Sequence, residues 1–356
     1  MKRRTSSGDT LSINYDFQNR MVREIFKPGA CLVSFGRKGG GKTHCAISFA
    51  QKLVQNEYPD MPGHVFLLSN ILFVRNDGTA SPPEEYPPNV YKITTLKDYF
   101  PIVADLLDKY DRKDLLILMV LDEAQNFLLG DMNSSGDFAK SFKTFAGLFR
   151  KFNTVAWFIT PAMRNLTPAF RNFIDADSDA GNVTCTFEKD TTRSAALLKK
   201  KRVDLDPRDI VFVRTGADQK EKRMLVPTSS WTRDPHSIPV GDYAYDTYSS
   251  ADFRIGDFPF YDFLFYISGR TSFDMVPSIK EFYRKMAAGE TGDAPVDRDK
   301  VEREVKLNIM RNCILADISE PVMGKVFGMS RGQVQYLKGL AKAKYPELQE
   351  KEKKTG

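Results

Sequence analysis

The chain has 356 residues, of which 42% are hydrophobic and 28% charged, and its formal net charge is +6 at pH 7. This composition is that of a globular protein with room for two or three domains, and it excludes a disordered or collagen-like chain. The longest apolar run, residues 115–121, is far too short to span a bilayer, and a polar stretch rather than an apolar signal segment follows residues 1–4. We therefore expect a cytoplasmic protein with no integral membrane segment.

The net positive charge and the cysteine content exclude few classes of function. A mild excess of Lys and Arg is compatible with a nucleic-acid partner but does not require one. The four cysteines form no CxxC pair, and the three histidines are too few for a zinc site to be predicted from ligand spacing. This cysteine usage is typical of a reducing compartment.

Residues 15–190 show the pattern of an α/β domain with a mostly parallel sheet, after a mobile basic tail over residues 1–14. Short apolar runs predict strands at 30–35, 64–69, 90–93, 115–121, 155–160 and 183–187. Helical stretches are predicted between them at 43–55, 96–110, 138–152 and 167–174. The third helix carries four phenylalanines at helical spacing, which favours one apolar face packed on the sheet: Phe138, Phe142, Phe145 and Phe149.

The part of the chain that follows is less regular. Residues 191–286 predict a mixed extension packed on the core, with a hairpin formed by residues 210–213 and 223–226. A basic run precedes the hairpin at residues 199–202. That run could grip phosphates, although a solvated surface is the commoner role of such a run.

The strongest motif is GRKGGGKT at residues 36–43, which fits GxxxxGK[ST] and lies between a predicted strand and a predicted helix. Its glycines let successive N–H groups point at phosphate oxygens, and the following helix adds its positive N-terminal end. We expect Lys42 to reach the β- and γ-phosphates of ATP and Thr43 to bind Mg²⁺. The expected nucleotide-binding residues are Gly36, Arg37, Lys38, Gly39, Gly40, Gly41, Lys42, Thr43 and His44. A glycine-rich turn in an unrelated α/β protein is the alternative.

A second motif is the uninterrupted apolar run 115–121 followed by Asp122 and Glu123. Such a run is typical of a strand buried on both faces, and carboxylates at its carboxyl end lie beside the nucleotide crevice of a parallel sheet. We expect an ATPase in which Asp122 holds the Mg²⁺ shell and Glu123 orients and deprotonates the attacking water. Acidic residues at a helix N-terminus are the alternative, but the phosphate-binding loop upstream favours the catalytic interpretation.

The next predicted strand, 155–160, leads to three further candidates. We expect Thr160 at its end to sense the γ-phosphate or the attacking water. Arg164 and Arg171 follow, and either could reach into a neighbouring subunit as an arginine finger. A plain strand-end threonine and surface ion pairs are the structural alternatives.

On these residues the chain resembles the additional-strand, catalytic-glutamate branch of the P-loop ATPases. Within that branch it is similar to the FtsK/HerA-type and zonular-occludens-toxin-like ATPases of archaeal viruses, plasmids and chromosomes. The resemblance covers residues 29–172 and rests on GRKGGGKT, LMVLDEAQNF and FRKFNTVAWFITPAMRNL. It implies the sheet order 5-1-4-3-2 and a DNA-translocating homo-oligomeric ring, such as a hexamer. Such motors usually end the sensor strand with Thr-Gln, whereas here Pro161 follows Thr160.

After a linker predicted at 287–300, residues 301–356 predict a small all-α domain that resembles the helix-turn-helix of transcription factors and recombinases. Gly324 falls where the two helices cross, Gly328 falls at the turn, and Ser330 would cap the second helix. The apolar positions are Met323, Phe327, Val334 and Leu337. The expected contacts with double-stranded DNA are Ser330, Arg331, Gln333, Gln335 and Lys338. An αα-hairpin that binds protein is the alternative.

Three functions are compatible with these features. The first is an ATP-driven DNA translocase or packaging motor of a virus or mobile element, in which the loop 130–137 contacts DNA, although this loop contains no Lys or Arg. The second is an ATP-switched DNA-binding protein for replication, partition or regulation. The third is an assembly ATPase of the filamentous-phage type, against which the expected lack of a membrane segment counts.

Overall fold

The computed structural model describes residues 3–4, 10–11, 15–75, 79, 81–127, 145–166, 170–171, 184–188, 190–201, 205–215, 221–227, 231, 243–245, 253, 258–267, 270–289, 298–316, 318–327, 329–346 and 348. Several predicted features lie outside these residues: most of the tail 1–14, the loop 130–137, residues 290–297 of the linker, Phe138, Phe142 and Gly328. The chain divides into two compact units, Met1–Phe258 and Pro259–Gly356. In the described part of the chain, no helix is both long and apolar enough to cross a membrane.

The first unit is built on an eight-stranded sheet. The strands of the whole first unit, in the described residues, are β1 Arg3–Arg4, β2 Thr10–Leu11, β3 Cys31–Phe35, β4 His64–Ser69, β5 Phe73–Arg75, β6 Val90–Lys92, β7 Leu115–Leu121, β8 Thr154–Ile159, β9 Thr184–Glu188, β10 Ile210–Thr215, β11 Glu221–Leu225 and β12 Tyr243–Tyr245. The large sheet has the order β11-β10-β9-β3-β8-β7-β4-β6, and β1-β2 and β12-β5 form two small sheets. All neighbours from β9 to β6 are parallel, whereas β10 and β11 are antiparallel.

The expected order 5-1-4-3-2 is confirmed as β9-β3-β8-β7-β4, and β8 is the additional strand between β3 and β7. The parallel part continues by one strand, β6, beyond β4. The predicted hairpin is also present, with Ile210 paired to Leu225 and Arg214 paired to Glu221. Because parallel strands end at one edge of the sheet, the carboxyl ends of β3, β7 and β8 lie together there.

Four helices accompany this sheet in the described residues: α1 Tyr15–Ile25, α2 Lys42–Val54, α3 Leu96–Lys109 and α4 Thr191–Lys201. A reciprocal capping box between Thr95 and Asp98 begins α3. The predicted elements do not include α1 and α4, whose sequences are rich in polar and charged residues, although the apolar residues of α1 fall on one face. Of the predicted helix 167–174, only residues 170–171 are described, and they are helical.

The predicted helix 138–152 does not reach its expected end. Helical residues stop at Ala146, and a 3₁₀ turn, Phe149–Phe152, leads to Asn153 with a left-handed φ of 51°. The side-chain amide of Asn153 donates to the carbonyl oxygen of Leu115 at 3.1 Å, which ties the turn to the start of β7. The chain thus leaves the helix before the expected end and passes through the turn to this buried polar contact.

The core between the sheet, α1 and α2 is centred on Trp157 of β8, which is fully buried. The centroid of its ring lies 5.4 Å from that of Phe26, 6.2 Å from that of Phe49 and 4.9 Å from that of Phe187. Its indole N–H donates to the hydroxyl of Ser34 at 2.9 Å. These contacts hold α2, the helix that follows the glycine-rich loop, against the sheet.

The second unit contains five helices in the described residues: α5 Phe260–Ile267, α6 Met275–Ala287, α7 Arg298–Leu315, α8 Glu320–Phe327 and α9 Arg331–Lys344. The unit begins within the predicted extension 191–286, and α7 begins inside the predicted linker. Met310, Met323 and Val334 are among the buried residues that join α7, α8 and α9. A Cβ added at Gly324 would lie 3.1 Å from the carbonyl oxygen of Met329, so a glycine at this position lets the chain pass close to α8.

We expect Trp157→Ala to lower the free energy of unfolding of the first unit by about 3 to 5 kcal/mol, because it removes a large buried side chain and leaves a cavity. Denaturant unfolding, followed by far-UV circular dichroism, measures this change. Tyr91→Ala is the control, since Tyr91 is 38% exposed on β6 and should cost much less. Equal losses in the two variants would contradict the central role of Trp157.

Candidate nucleotide-binding site

The loop between β3 and α2 has the backbone of a phosphate cradle. Gly36, Gly39 and Gly41 have positive φ values of 145°, 74° and 81°, a region that residues with a Cβ rarely adopt. The turn is closed by the N–H of Gly40, which donates to the carbonyl oxygen of Arg37 at 3.0 Å. Gly41 is the N-cap of α2 and offers no side-chain acceptor, so the N–H groups of the first turn can serve an anion.

The side chain of Lys42 lies across this loop. Its Nζ donates to the carbonyl oxygens of Gly36 at 3.1 Å and Arg37 at 3.0 Å. Burial lowers the pKa of Lys42, while the carboxylates of Asp122 and Glu123 act in the opposite direction. A cation held at the centre of a loop of N–H groups suits the terminal phosphates of a nucleoside triphosphate.

A hydrogen bond joins the loop to the end of β7. The hydroxyl of Thr43 donates to Oδ2 of Asp122 at 2.8 Å, across 79 positions of sequence. Burial raises the pKa of Asp122, and hydrogen bonds from the Thr43 hydroxyl and the Glu123 N–H oppose that rise. These hydrogen bonds offset only part of the effect of burial, so the pKa of Asp122 stays above its ordinary value.

The pair formed by Thr43 and Asp122 fits Mg²⁺, because a hydroxyl and a carboxylate are the hard oxygen ligands that this ion prefers. Within the described residues no group of three His, Cys, Asp or Glu side chains could hold a metal ion. Thr43 and Asp122 are the side chains that would hold an ion at this position. When bound, Mg²⁺ neutralises charge on the phosphates.

Asn70 fixes the backbone of Asp122, and no motif in the sequence identifies it. It follows β4 and is 2% exposed. Its amide nitrogen donates to the carbonyl oxygen of Asp122 at 3.0 Å, and its Oδ1 accepts from the Asp122 N–H at 2.8 Å. A buried asparagine directly after an apolar strand that neighbours β7 is the signal that could have revealed this residue.

Glu123 has a left-handed backbone with φ 53°, an uncommon conformation for a residue with a side chain. Its N–H donates to Oδ1 of Asp122 at 2.8 Å. The side-chain amide of Gln125 donates to Oε2 of Glu123. Such strained positions occur most often where a side chain must be directed at a site of chemistry.

The end of β8 lies beside the start of the loop. The N–H of Thr160 donates to the carbonyl oxygen of Ser34 at 2.9 Å, and the N–H of Gly36 donates to the carbonyl oxygen of Pro161 at 3.2 Å. Thr160 is 1% exposed, and its hydroxyl donates to the carbonyl oxygen of Ala162 at 3.4 Å. Its backbone is therefore at the loop, while its side chain is enclosed.

The remaining candidates near the loop differ in exposure. Arg37 and Lys38 are exposed, and His44 is half-buried in the first turn of α2. Arg164 is exposed on the 3₁₀ turn Met163–Asn165. Arg171 is partly buried, and its Nε has no hydrogen-bond partner among the described residues.

In the second unit, three of the expected DNA contacts converge on Glu320 of α8. Arg331 lies 3.6 Å from its carboxylate and Lys338 lies 3.4 Å away, and the Gln335 amide donates to it at 3.4 Å. Ser330 and Gln333 form the capping box that begins α9. Arg331, Gln333 and Gln335 are exposed.

Fold and site agree with the expected fold class. A glycine loop between a strand and a helix, an Asp-Glu pair at the end of a second strand and an additional strand between the two are the features expected of a P-loop fold with an additional strand. The chain has all three.

Several solved structures are similar to this chain. The genome packaging NTPase B204 from Sulfolobus turreted icosahedral virus 2, in complex with ATP-gammaS, is 12% identical, with a TM-score of 0.34 over 55% of this chain and 97% of that chain. The DNA-packaging ATPase B204 from Sulfolobus Turreted Icosahedral Virus is 12% identical, with a TM-score of 0.34 over 57% and 100%. The N-terminal domain of zonular occludens toxin from Neisseria meningitidis is 12% identical, with a TM-score of 0.29 over 56% and 95%.

The sequence matches no protein-family model and no curated protein. The roles of residues proposed below therefore rest on the contacts of this chain.

We expect Asn70→Ala to lower kcat for ATP hydrolysis by about tenfold to a hundredfold, because the loss of two hydrogen bonds lets Asp122 and Glu123 move. The dissociation constant for ATP should change by less than about threefold, because the loop and Lys42 are untouched. Steady-state hydrolysis and fluorescent-nucleotide binding measure the two quantities. Ser81→Ala is the control, since Ser81 is 3% exposed and its hydroxyl has no hydrogen bond among the described residues. An equal fall in kcat in the control would contradict a positioning role for Asn70.

Proposed function

We propose that this chain hydrolyses ATP and couples hydrolysis to the handling of double-stranded DNA. The observation that carries the ATPase proposal is the 2.8 Å hydrogen bond between Thr43 and Asp122, which brings the phosphate loop and the carboxylates together. A DNA role is supported by the basic second helix of the C-terminal pair, α9, which begins at a well-formed cap.

The proposed roles follow from position and charge. Lys42 stabilises negative charge on the β- and γ-phosphates, and the N–H groups of the loop hold their oxygens. Thr43 and Asp122 are the protein ligands for Mg²⁺. Glu123 accepts a proton from the water that attacks the γ-phosphate, and ADP and phosphate leave. Thr160 and His44 lie next to the loop, and we assign neither of them a role in the reaction. The sensor role of Thr160 stays a prediction.

Translocation or packaging of DNA by a homo-oligomeric ring is the form of DNA handling that we favour. An arginine finger from a neighbouring subunit needs an accessible guanidinium close to the end of β8. Arg164 meets that need better than Arg171, because it is exposed on the turn that follows Thr160 and Pro161. We therefore assign the finger to Arg164 in this proposal.

An ATP-switched DNA-binding protein is the second candidate. It is favoured by the ion pairs of Arg331 and Lys338 with Glu320, because two of the basic side chains of α9 already contact a carboxylate of the protein. In such a protein ATP would control assembly on DNA, and hydrolysis would reset it.

We expect Glu123→Gln to bind ATP but to hydrolyse it at least about a hundredfold more slowly than the wild-type chain, because the general base is lost. Lys42→Ala should weaken nucleotide binding as well. Glu57→Gln is the matched control, since the Glu57 side chain is 45% exposed and pairs with Lys52 away from the site.

Steady-state hydrolysis with and without long double-stranded DNA measures the effect. Stimulation that grows with DNA length supports a motor, slow turnover with a sequence-specific footprint supports a switch, and indifference to DNA contradicts both. Full activity in Glu123→Gln would contradict the assigned base.

We expect Arg331→Ala with Lys338→Ala to weaken binding to duplex DNA about tenfold, because each lost phosphate contact removes counterion release. The matched control is Arg284→Ala with Lys285→Ala on α6, a pair of cations that likewise contacts one glutamate, Glu281. Fluorescence anisotropy at several salt concentrations measures the affinity. A similar loss in both double variants would show that α9 has no special role.

A further inference from the structure

A groove lies between α4 and the hairpin β10–β11, away from the glycine loop. Leu198 of α4 packs against Ile210 and Phe212 of β10 and holds the helix over the hairpin. The groove has a volume of about 360 Å³. Its lining comes from one face of α4 and from the two strands: Arg193, Ala196, Leu197, Lys200, Phe212, Glu221 and Arg223.

Positive charge dominates the groove. Arg193 and Lys200 lie seven positions apart on α4, which places them on one face and roughly 10 Å apart along the helix axis. Glu221 and Arg223 are two positions apart on β11 and so share a face of the strand. Arg214 of β10 adds a fourth cation, 3.7 Å from Glu221. Four cations against one carboxylate give this group a formal surplus of three positive charges.

One arginine of the groove is already held in place. The guanidinium of Arg193 lies 4.0 Å from the centroid of the Phe212 ring, and its two terminal nitrogens donate to the two oxygens of Glu221. Hydrogen bonds from Arg193 hold the pKa of Glu221 below its ordinary value, so this carboxylate is charged at neutral pH. Arg193 is still 47% exposed and can add a contact to an anion without first being ordered.

We propose that this cationic groove, formed by α4 and the hairpin, is a second DNA-contact surface that binds the phosphate backbone of duplex DNA. The proposal rests on the proposed DNA-handling function and assigns part of it to a site outside α9. Exposed cations spaced along an open groove suit a polyanion with regularly spaced charges. Leu197, the partly exposed apolar residue of the lining, suits the sugar edges between phosphates.

The groove lies on the same sheet as the strand that leads into the glycine loop. The hairpin continues the large sheet, in which only β9 separates β10 from β3, the strand that leads into the glycine loop. Lys222, which alternates with Glu221 and Arg223, faces the other side of β11 and pairs with Glu24 of α1 at 3.2 Å. DNA held here would therefore be attached to the same compact unit that carries the glycine loop.

The test uses the full chain and a short fluorescent duplex, with affinity measured as a function of salt. Lys200→Gln with Arg223→Gln should weaken binding about tenfold and lower the slope of log affinity against log salt by about 2, because roughly one unit is lost per phosphate contact. The matched control, Lys27→Gln with Lys113→Gln, removes two exposed cations elsewhere on the same unit and should leave both quantities unchanged. Glu221→Gln should act in the opposite direction and tighten binding about threefold, because it removes the only carboxylate of the set.

Hydrolysis of ATP without DNA and the thermal unfolding temperature should stay at the wild-type values in the groove variants, which excludes misfolding as the cause of weaker binding. If the wild-type chain shows no salt-dependent duplex binding, the proposed DNA function itself fails. If the wild-type chain binds duplex and the groove variants bind equally well, the groove proposal fails while the DNA function stands. A changed oligomeric state at unchanged DNA affinity would also overturn it and would identify the groove as an interface between copies of the chain.

Discussion

The hydrogen bond between Thr43 and Asp122 is the contact on which the arrangement of the nucleotide site depends. The strands that carry the two motifs, β3 and β7, are not neighbours, because β8 lies between them. Neighbouring strands are about 4.8 Å apart, so the two motifs begin roughly 10 Å from each other. The first turn of α2 spans this gap, and its Thr43 hydroxyl reaches the carboxylate at 2.8 Å. The insertion of β8 thus sets the width of the site, and the threonine at the end of the glycine motif closes it.

Around that contact the chain keeps groups in environments that their charges do not favour. Burial acts against the charge of Lys42 and against that of Asp122, and each of the two partly offsets the cost for the other. Glu123, the residue after Asp122, has a left-handed backbone conformation. The aromatic cluster around Trp157 lies directly beneath and supplies well-packed apolar contacts. Buried aromatic contacts thus accompany a site that contains one residue with a strained backbone, Glu123.

The sequence predicts best where one local pattern carries the whole signal. The apolar run before Asp122 and the glycine motif predict β7, β3 and α2 to within one or two residues, and the sheet order follows from the resemblance of the motifs. Asn70 is different, because its two hydrogen bonds are made to a backbone 52 positions away and no spacing within its own segment indicates them. The end of the phenylalanine-rich helix is missed for the same reason, since the contact of Asn153 with β7 is non-local. Long-range polar contacts, rather than apolar patterns, are what the sequence alone conceals.

The bond from the Gly36 N–H to the Pro161 carbonyl oxygen has a mechanical consequence. Through this bond the first N–H of the glycine loop is paired within the protein. The bond also links the loop to the segment that carries Arg164, three residues after Pro161. The exposed turn Met163–Asn165 is thus connected to the loop through the residues that follow β8 and through this hydrogen bond, which lies beside the bond from the Thr160 N–H to the carbonyl oxygen of Ser34. Proline at position 161 restricts the backbone flexibility of this connection, because its ring fixes the backbone φ. The link therefore ties the position of the first residue of the glycine loop to that of the turn that carries Arg164.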